Sequence, residues 1–559
     1  MTVDGENITC PSCGTPAAVW VGEIGGTRTL DAVCRCTDAE ILEALDSGAA
    51  PTWREGSLAE SDLAARLGVE HLKGRFVAWG KTRWSRWTGT HWRHCDDAEV
   101  YGAMRAAVAA LVETETAAAN RRLEEQTAAA TKAENADQAK SMLDEANAQH
   151  AKRLKQLAAL FWVNRIKTLL QGAREVLHVR YEDFDSHPEL LNVRNGVVDM
   201  RTGELLPHDP ALMLTKICAV EYDPDAEHAD WRTALTAVPA EVADWLQVRF
   251  GQAATGYPAP DAVVPFLNGG GENGKSTVLD GIIGALGDYA TQVPDKALIG
   301  SASDHPTELM TLKGARFAYI EELPEGDYLN PQRLKKISGT TEITARYIGQ
   351  DNVTWRATHC TFVTTNYSVK VDAVDHGTWR RLALVRFPFK FLKPGQVPSA
   401  DNERAGDPGL KQRMERNSNG QWEAVLAWLV AGARRWFEAG EVMPAAPDVV
   451  QADTETWRHG SNKAVEFLET LYEAADGWAV SSAEVFADFS EWAQINGFRR
   501  WTADTFWTRA EQHPWFTSGK AVRTRNPVFT KRWQMAGAKP ERARLVQGIR
   551  RADQQRQGA

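Results

Sequence analysis

The chain has 559 residues, too many for one hydrophobic core, and this length predicts three or four domains. Its 43% hydrophobic and 25% charged fractions are those of an ordinary globular protein and exclude a collagenous or disordered chain. Net charge is −10, so any contact with nucleic acid has to come from local basic patches and not from the overall field.

No apolar stretch approaches the length of a membrane span, and the first residues lack the basic start and apolar middle of a signal peptide. A cytoplasmic protein without a membrane partner is expected. Seven cysteines in so long a chain do not make a disulfide framework, and four of them cluster at the start. Cys10-Pro-Ser-Cys13 puts two thiolates on one tight turn, and Cys34-Arg-Cys36 supplies a second close pair. Four thiolates complete a tetrahedral set for Zn2+, whose binding energy would fold a module this small. Two short strands (AAVWVGE and TRTLDAV) joined at Gly25-Gly26 make residues 1–48 a zinc-ribbon-like module. Nucleic acid and a partner protein are both reasonable targets for it.

Residues 49–228 read as a mostly helical domain. Within it Trp79, Trp84, Trp87 and Trp92 alternate with Arg and Lys around a turn at Gly89. Such interleaving can stack bases, but the pattern favours a small hairpin packing its tryptophans. His91, His94 and Cys95 lack a nearby fourth ligand, so core or surface roles are expected. From about 98 to 176 the chain is alanine-rich, charged and nearly free of Gly and Pro, which predicts long helices paired around Glu134 to Gln138. Asp183-Phe184-Asp185 has the spacing of a two-metal carboxylate pair but sits in a loop context, so no primase active site is read there. Turn residues at Asn195-Gly196 and Thr202-Gly203 predict a compact hairpin over 190–210.

The chain then carries its densest chemistry. An apolar run, Val263 to Leu267, stops at Asn268 and is followed by Gly269, Gly270, Gly271, Glu272, Asn273, Gly274, Lys275, Ser276 and Thr277, then by a helical apolar pattern. Strand, glycine loop and helix in this order form a phosphate cradle. Glycines let successive N–H groups point inward, and the helix adds the positive end of its dipole. Lys275 is placed to reach the β- and γ-phosphates of ATP, and the Ser276 hydroxyl to hold Mg2+. Downstream, ARFAYIEE (315–322) is an apolar strand ending in two acids. Glu321 suits the water shell of Mg2+ and Glu322 the polarisation of an attacking water. HCTFVTTN (359–366) ends in Asn366, an amide that can orient that water. Arg380 and Arg381 precede a last strand and suit an arginine finger lent to a neighbouring subunit, with Arg381 slightly favoured.

These motifs together resemble the superfamily-3 helicases, in the phage and plasmid primase-helicase branch that includes poxvirus-type NTPases. The resemblance covers roughly residues 70 to 400, including the GTHW hairpin and LLNVRNGVVDMRTGELLPHDP. It implies a multidomain α/β protein whose core, residues 229–443, is an AAA+ type P-loop ATPase. It further implies a homo-oligomeric ring, usually a hexamer, that moves 3′ to 5′ on single-stranded and forked DNA using ATP and Mg2+. The family's DNA-gripping hairpin corresponds to 343–357, preceded by the family's extra lysine motif; Lys335, Lys336 and Arg346 become candidates for the pore, though the tip itself has no Lys or His. Relatives often carry a primase domain where this chain has the four-cysteine module, so a separate primase or replication initiator is a further expected partner. A phage or mobile element acting in a bacterial host is the implied setting.

After a linker at 444–450, residues 451–559 read as three short helices followed by a wing, a winged-helix-like DNA-binding domain. Ser481-Ser482 suit an N-cap, Gly497 a stop, and the segment from Lys520 onward reads as a basic tail favouring DNA contact. Two other functions stay open: a P-loop small-molecule kinase, disfavoured for want of an acceptor lid, and a ring that uses ATP only as a scaffold.

Overall fold

The computed structural model describes residues 57–133, 135–299, 306–324, 328–347, 351–371, 376–498, 500–537 and 540–552, and, as backbone strands alone, 5–8, 19–24 and 27–32. Cys10, Cys13, Cys34 and Cys36 lie outside the described residues, as do Gly349 and Gln350 of the expected hairpin tip. The chain divides into two compact units, residues 1–186 with 208–216, and residues 187–207 with 217–559. The 190–206 hairpin, within the span 49–228 read from sequence as one domain, packs its Leu191, Val193 and Val198 into the core of the second unit.

In the first unit, β1 (Gly5–Ile8), β2 (Val19–Ile24) and β3 (Thr27–Ala32) form an antiparallel sheet. Helix α1 (Glu60–Leu67) precedes the antiparallel strands β4 (Phe76–Trp79), β5 (Arg83–Trp87) and β6 (Trp92–Cys95). The tryptophans pack: Trp84 and Trp92 are buried, and Trp79 sits 5.5 Å from Tyr181 and 6.0 Å from Phe184. Helix α2 (Asp97–Ala130) starts where the Asp96 carboxylate caps the Glu99 N–H at 3.0 Å. Asn135 caps α3 (Ala136–Ala158) in the same way, and an Arg153–Glu115 ion pair at 2.7 Å holds the two helices antiparallel. Helix α4 (Val163–Val176) closes the bundle with Ile166, Leu169 and Ala173 inward. Both acids of the Asp183-Phe184-Asp185 triplet serve local structure, Asp183 accepting from Arg180 and Asp185 from Thr215.

The second unit begins with the meander β7 (Leu190–Val193), β8 (Gly196–Asp199) and β9 (Glu204–Leu206). Helix α5 (Ala240–Ala254) leads to β10 (Val264–Asn268), α6 (Lys275–Leu286), β11 (Ala290–Gln292) and β12 (Phe317–Ile320). Helix α7 (Pro331–Ser338) precedes a two-stranded hairpin, β13 (Glu342–Ala345) and β14 (Val353–Arg356), and then β15 (Cys360–Thr365) and β16 (Leu382–Arg386). The main sheet is wholly parallel in the order β11-β12-β15-β10-β16. Its central strands are continuous apolar runs because helices cover both faces: Phe266, Phe317 and Phe362 are all buried. Two short parallel strands, β17 (Lys390–Leu392) and β18 (Glu403–Ala405), follow, then α8 (Gln421–Glu438) against α5.

The last part runs α9 (Lys463–Leu471), β19 (Tyr472–Ser481), α10 (Ser482–Ile495), α11 (Ala503–Ala510), β20 (Val522–Arg523) and β21 (Leu545–Arg551). The strands β19, β21 and β20 form one antiparallel sheet over a core of Phe467, Phe489 and Phe506. The expected basic tail is thus corrected up to residue 552, since this segment is folded and Leu545, Val546 and Ile549 are buried in it.

Candidate active site

Parallel strands deliver their C-terminal ends to one edge of a sheet, and here that edge gathers the loops after β10, β12 and β15. After Asn268 the chain turns through Glu272 at φ +62° and Gly274 at φ +81° before α6 begins at Lys275. Glycine is required at both close approaches. A Cβ on Gly269 would lie 1.9 Å from Asn273 Nδ2, and one on Gly274 2.8 Å from the Ala237 Cβ. Gly270 and Gly271 have open space beside them, leaving the loop crest accessible. The Asn273 side chain accepts the Lys275 N–H at 3.2 Å, while its Nδ2 is buried without a partner among the described residues. An orphaned donor at the floor of a glycine turn suits an anion.

Lys275 is buried and ties the ends of β10 and β15 together. Its Nζ donates to the Thr365 carbonyl at 2.8 Å, the Asn366 Oδ1 at 3.0 Å and the Gly269 carbonyl at 3.3 Å. Asn366 in turn donates through Nδ2 to Glu322 Oε1 at 3.0 Å. Burial lowers the Lys275 pKa, opposed by the charge of Glu322. Glu322 holds a left-handed backbone at φ +45°, uncommon for a residue with a side chain, and its neighbour Glu321 accepts from Gln292 Nε2 at 3.1 Å.

A cavity of about 640 Å³ opens over this network. Gly271 to Thr277, Glu322 and Asn366 line one side. Phe391, Lys393, Pro394, Pro408, Leu410 and Lys411 line the other, and sequence reasoning missed all six. Phe391, Lys393 and Pro394 have a sequence signal, FLKPG shortly after the last core strand; Pro408, Leu410 and Lys411 have none. The Phe391 N–H donates to the Glu272 carbonyl at 2.8 Å, and Lys393 pairs with the Glu272 carboxylate at 3.3 Å, so this wall is pinned to the glycine loop. Glu321 borders the site and does not line the cavity. An anion cradle, a buried ammonium, a hydroxyl pair (Ser276 and Thr277) and two acids are what a nucleoside triphosphate with Mg2+ requires, and the residues fit both.

Arg380 and Arg381 lie at the far edge. Leu382 opens β16 and pairs with Val264 at the start of β10, whereas the loop follows Asn268 at its end. Five residues of strand put roughly 16 Å between the two ends. Arg380 is exposed; Arg381 is half-buried, its guanidinium donating to the Gly377 carbonyl and lying against Gly339 at the end of α7. Lys336 is exposed and Lys335 half-buried on α7, and Arg346 is exposed where β13 leaves its hairpin, beside Tyr347, another residue missed from sequence.

Residues 65–238 match the family model described as D5 N terminal like, and residues 267–381 match a family of unknown function, DUF5906. A protein of African swine fever virus named "Putative primase C962R" is 26% identical over 333 residues, 56% of this chain and 34% of that protein. One of Frog virus 3 named "Putative helicase 022R" is 24% identical over 246 residues, 42% of this chain and 25% of that protein. The chain spans about a third of the length of the curated relatives it matches first. Among solved structures, an apo form of the NrS-1 C terminal region is 13% identical with a TM-score of 0.35, covering 60% of this chain and 80% of that one. Both relatives, one named a primase and the other a helicase, are proteins of large DNA viruses. No helix among the described residues is long and apolar enough to cross a membrane.

Proposed function

We propose that the chain is a replicative helicase motor, of the kind found in primase-helicases, that hydrolyses ATP to translocate on single-stranded DNA. The observation carrying this reading is the Lys275–Asn366–Glu322 chain of hydrogen bonds under a glycine loop. In this reading the loop N–H groups and Lys275 hold the phosphates, and Phe391 with Pro394 faces the base. Glu322 takes the proton of the attacking water, held in place by Asn366. Mg2+, on Ser276 and the water shell beside Glu321, would supply charge neutralisation on the phosphates.

An AAA+ type core is supported by the insertion of β15 between β10 and β12, which puts Asn366 between the phosphate loop and the acids. The distance of Arg380 from its own loop supports delivery to a neighbouring subunit, hence a ring; its exposure favours it over Arg381, reversing the sequence preference. The β13–β14 hairpin with Arg346, and α7 with Lys335 and Lys336, are assigned to DNA. The helix–strand–helix–helix order of residues 463–510, followed by β20 and β21 pairing with each other, supports a winged helix. Zinc on Cys10, Cys13, Cys34 and Cys36 completes the proposal.

The test is ATP turnover with and without single-stranded DNA, together with strand displacement on forked DNA tailed at either end. DNA-stimulated turnover and unwinding from a 3′ tail are expected, and Lys275→Ala should abolish both while melting like the parent. Unwinding at parental rate by Lys275→Ala would defeat the proposal.

A further inference from the structure

The first unit holds a second cavity, of about 630 Å³, beside the tryptophan hairpin and α4. Trp84 and Tyr101 supply aromatic wall, and Lys81, Lys167 and Arg174 stand around it, with Asp97 as the acid lining it. Arg174 is fixed: its Nη2 donates to the Gly80 carbonyl at 3.2 Å and its guanidinium lies 4.8 Å over the Trp84 ring. Lys81 and Lys167 are exposed and make no ion pair among the described residues.

Val163, Lys167, Leu170 and Arg174 recur at helical spacing, so one face of α4 borders the cavity. Lys167 and Arg174 are two turns apart on it, about 10 Å along the axis. Where the chain enters α4, Phe161, Trp162 and Val163 are consecutively exposed, by 41%, 72% and 56%, and Val163 borders the cavity. Soluble surfaces rarely leave a run of large apolar side chains uncovered without a partner.

We infer that this face of the helical unit binds single-stranded DNA, with Lys81, Lys167 and Arg174 on phosphates and Trp162 stacking a base. Flat apolar groups alternating with anions satisfy both halves of the surface at once. A protein covering the apolar run would instead have to bury two lysines or meet them with acids. Trp162 lies beyond the residues lining the cavity, so an occupant that engages both has to be longer than a single nucleotide, as a strand is. The chemistry of this face is independent of the ATP cavity.

The experiment uses the full chain without nucleotide and follows fluorescein-labelled oligo(dT) by anisotropy across a salt series. Lys81→Ala with Lys167→Ala should weaken binding about tenfold and flatten the slope of log affinity against log salt by about 1.4, the share of two phosphates. Trp162→Ala should also cost about tenfold and Trp162→Phe much less. DNA-free ATP turnover and thermal melting, unchanged in each variant, show that the fold and the other cavity are intact. A 5-iododeoxyuridine strand should photo-cross-link within residues 159–175. Parental affinity and salt slope in both alanine variants, with cross-links elsewhere, would overturn the inference. Binding of dTMP at the face as tight as that of oligo(dT) would overturn it in favour of a mononucleotide site.

Discussion

Asn366 contacts both Lys275 and Glu322, so its amide decides the orientation of an ammonium and a carboxylate at once. Removing it should free the Glu322 carboxylate and leave the Lys275 ammonium on its two backbone carbonyls alone. Asn366→Ala is expected to cut the maximal rate of ATP turnover at least a hundredfold while changing nucleotide affinity only a few-fold. Glu322→Gln should behave similarly, losing the proton acceptor but keeping the shape. Equal losses in rate and affinity would assign these residues to binding instead. A second residue sets acid stability. His359 is buried where β15 begins, with Nε2 on the Ile337 carbonyl at 3.0 Å and Nδ1 without a partner among the described residues. Burial pushes its pKa down to about 4 from an ordinary 6.5. The folded state thus holds the ring neutral while the unfolded chain protonates it, so stability is full above pH 6.5 and falls as pH drops toward 4. The loss amounts to about 3 kcal/mol over that window. Chemical denaturation at pH 7.5 and pH 5 should show it, and His359→Gln should flatten the difference.

Helices α5 and α8 meet through glycines. A Cβ on Gly251 would lie 2.3 Å from the Ala433 nitrogen, and one on Gly432 2.0 Å from the Gln247 carbonyl oxygen. Backbone cannot retreat as a flexible side chain can, so Gly251→Ala should destabilise the second unit by about 1–3 kcal/mol or more. A lowered melting temperature without loss of helix content at 20 °C is the expected readout. At this scale the sequence was legible where chemistry is local. The loop from Gly269 to Thr277 and the acids Glu321 and Glu322 carry their meaning in consecutive residues, and the structure brings most of them to one cavity. Phe391, Lys393 and Lys411 were not legible, because they reach the site through long-range packing: Phe391 sits in a three-residue strand, Lys393 just after it and Lys411 on a short helix, none with a periodic signature. Strand β19 was hidden for another reason. A bulge between Ala474 and Ala479, around Asp476-Gly477, breaks the alternation by which a strand is read. Likewise the arginines of 523–551 suggest a tail, yet Arg523, Arg550 and Arg551 pair with Glu511, Glu473 and Asp488 on the folded domain.

For the whole molecule, the decisive question is whether one copy can complete its own site. Arg380 precedes β16 and the phosphate loop follows β10, at opposite ends of two paired parallel strands. A rigid sheet keeps them a strand length apart, longer than an arginine side chain reaches. If Arg380 acts on phosphate, it would therefore have to come from another copy, whose starting edge would abut the loop edge of the first. Mixing experiments separate this arrangement from a self-sufficient monomer. Lys275→Ala lacks the ammonium but keeps its arginine, and Arg380→Ala has the reverse defect, so each alone should turn over less than about one hundredth of the parent rate. In an equimolar mixture, every contact that sets an intact loop against an intact Arg380 regains function, and a quarter of random interfaces are of this kind. Activity should rise well above the sum of the two separate variants and fall on dilution, as subunits dissociate. Strict additivity at all concentrations would place catalysis within single copies, and Arg380 would then be a surface residue with no part in it.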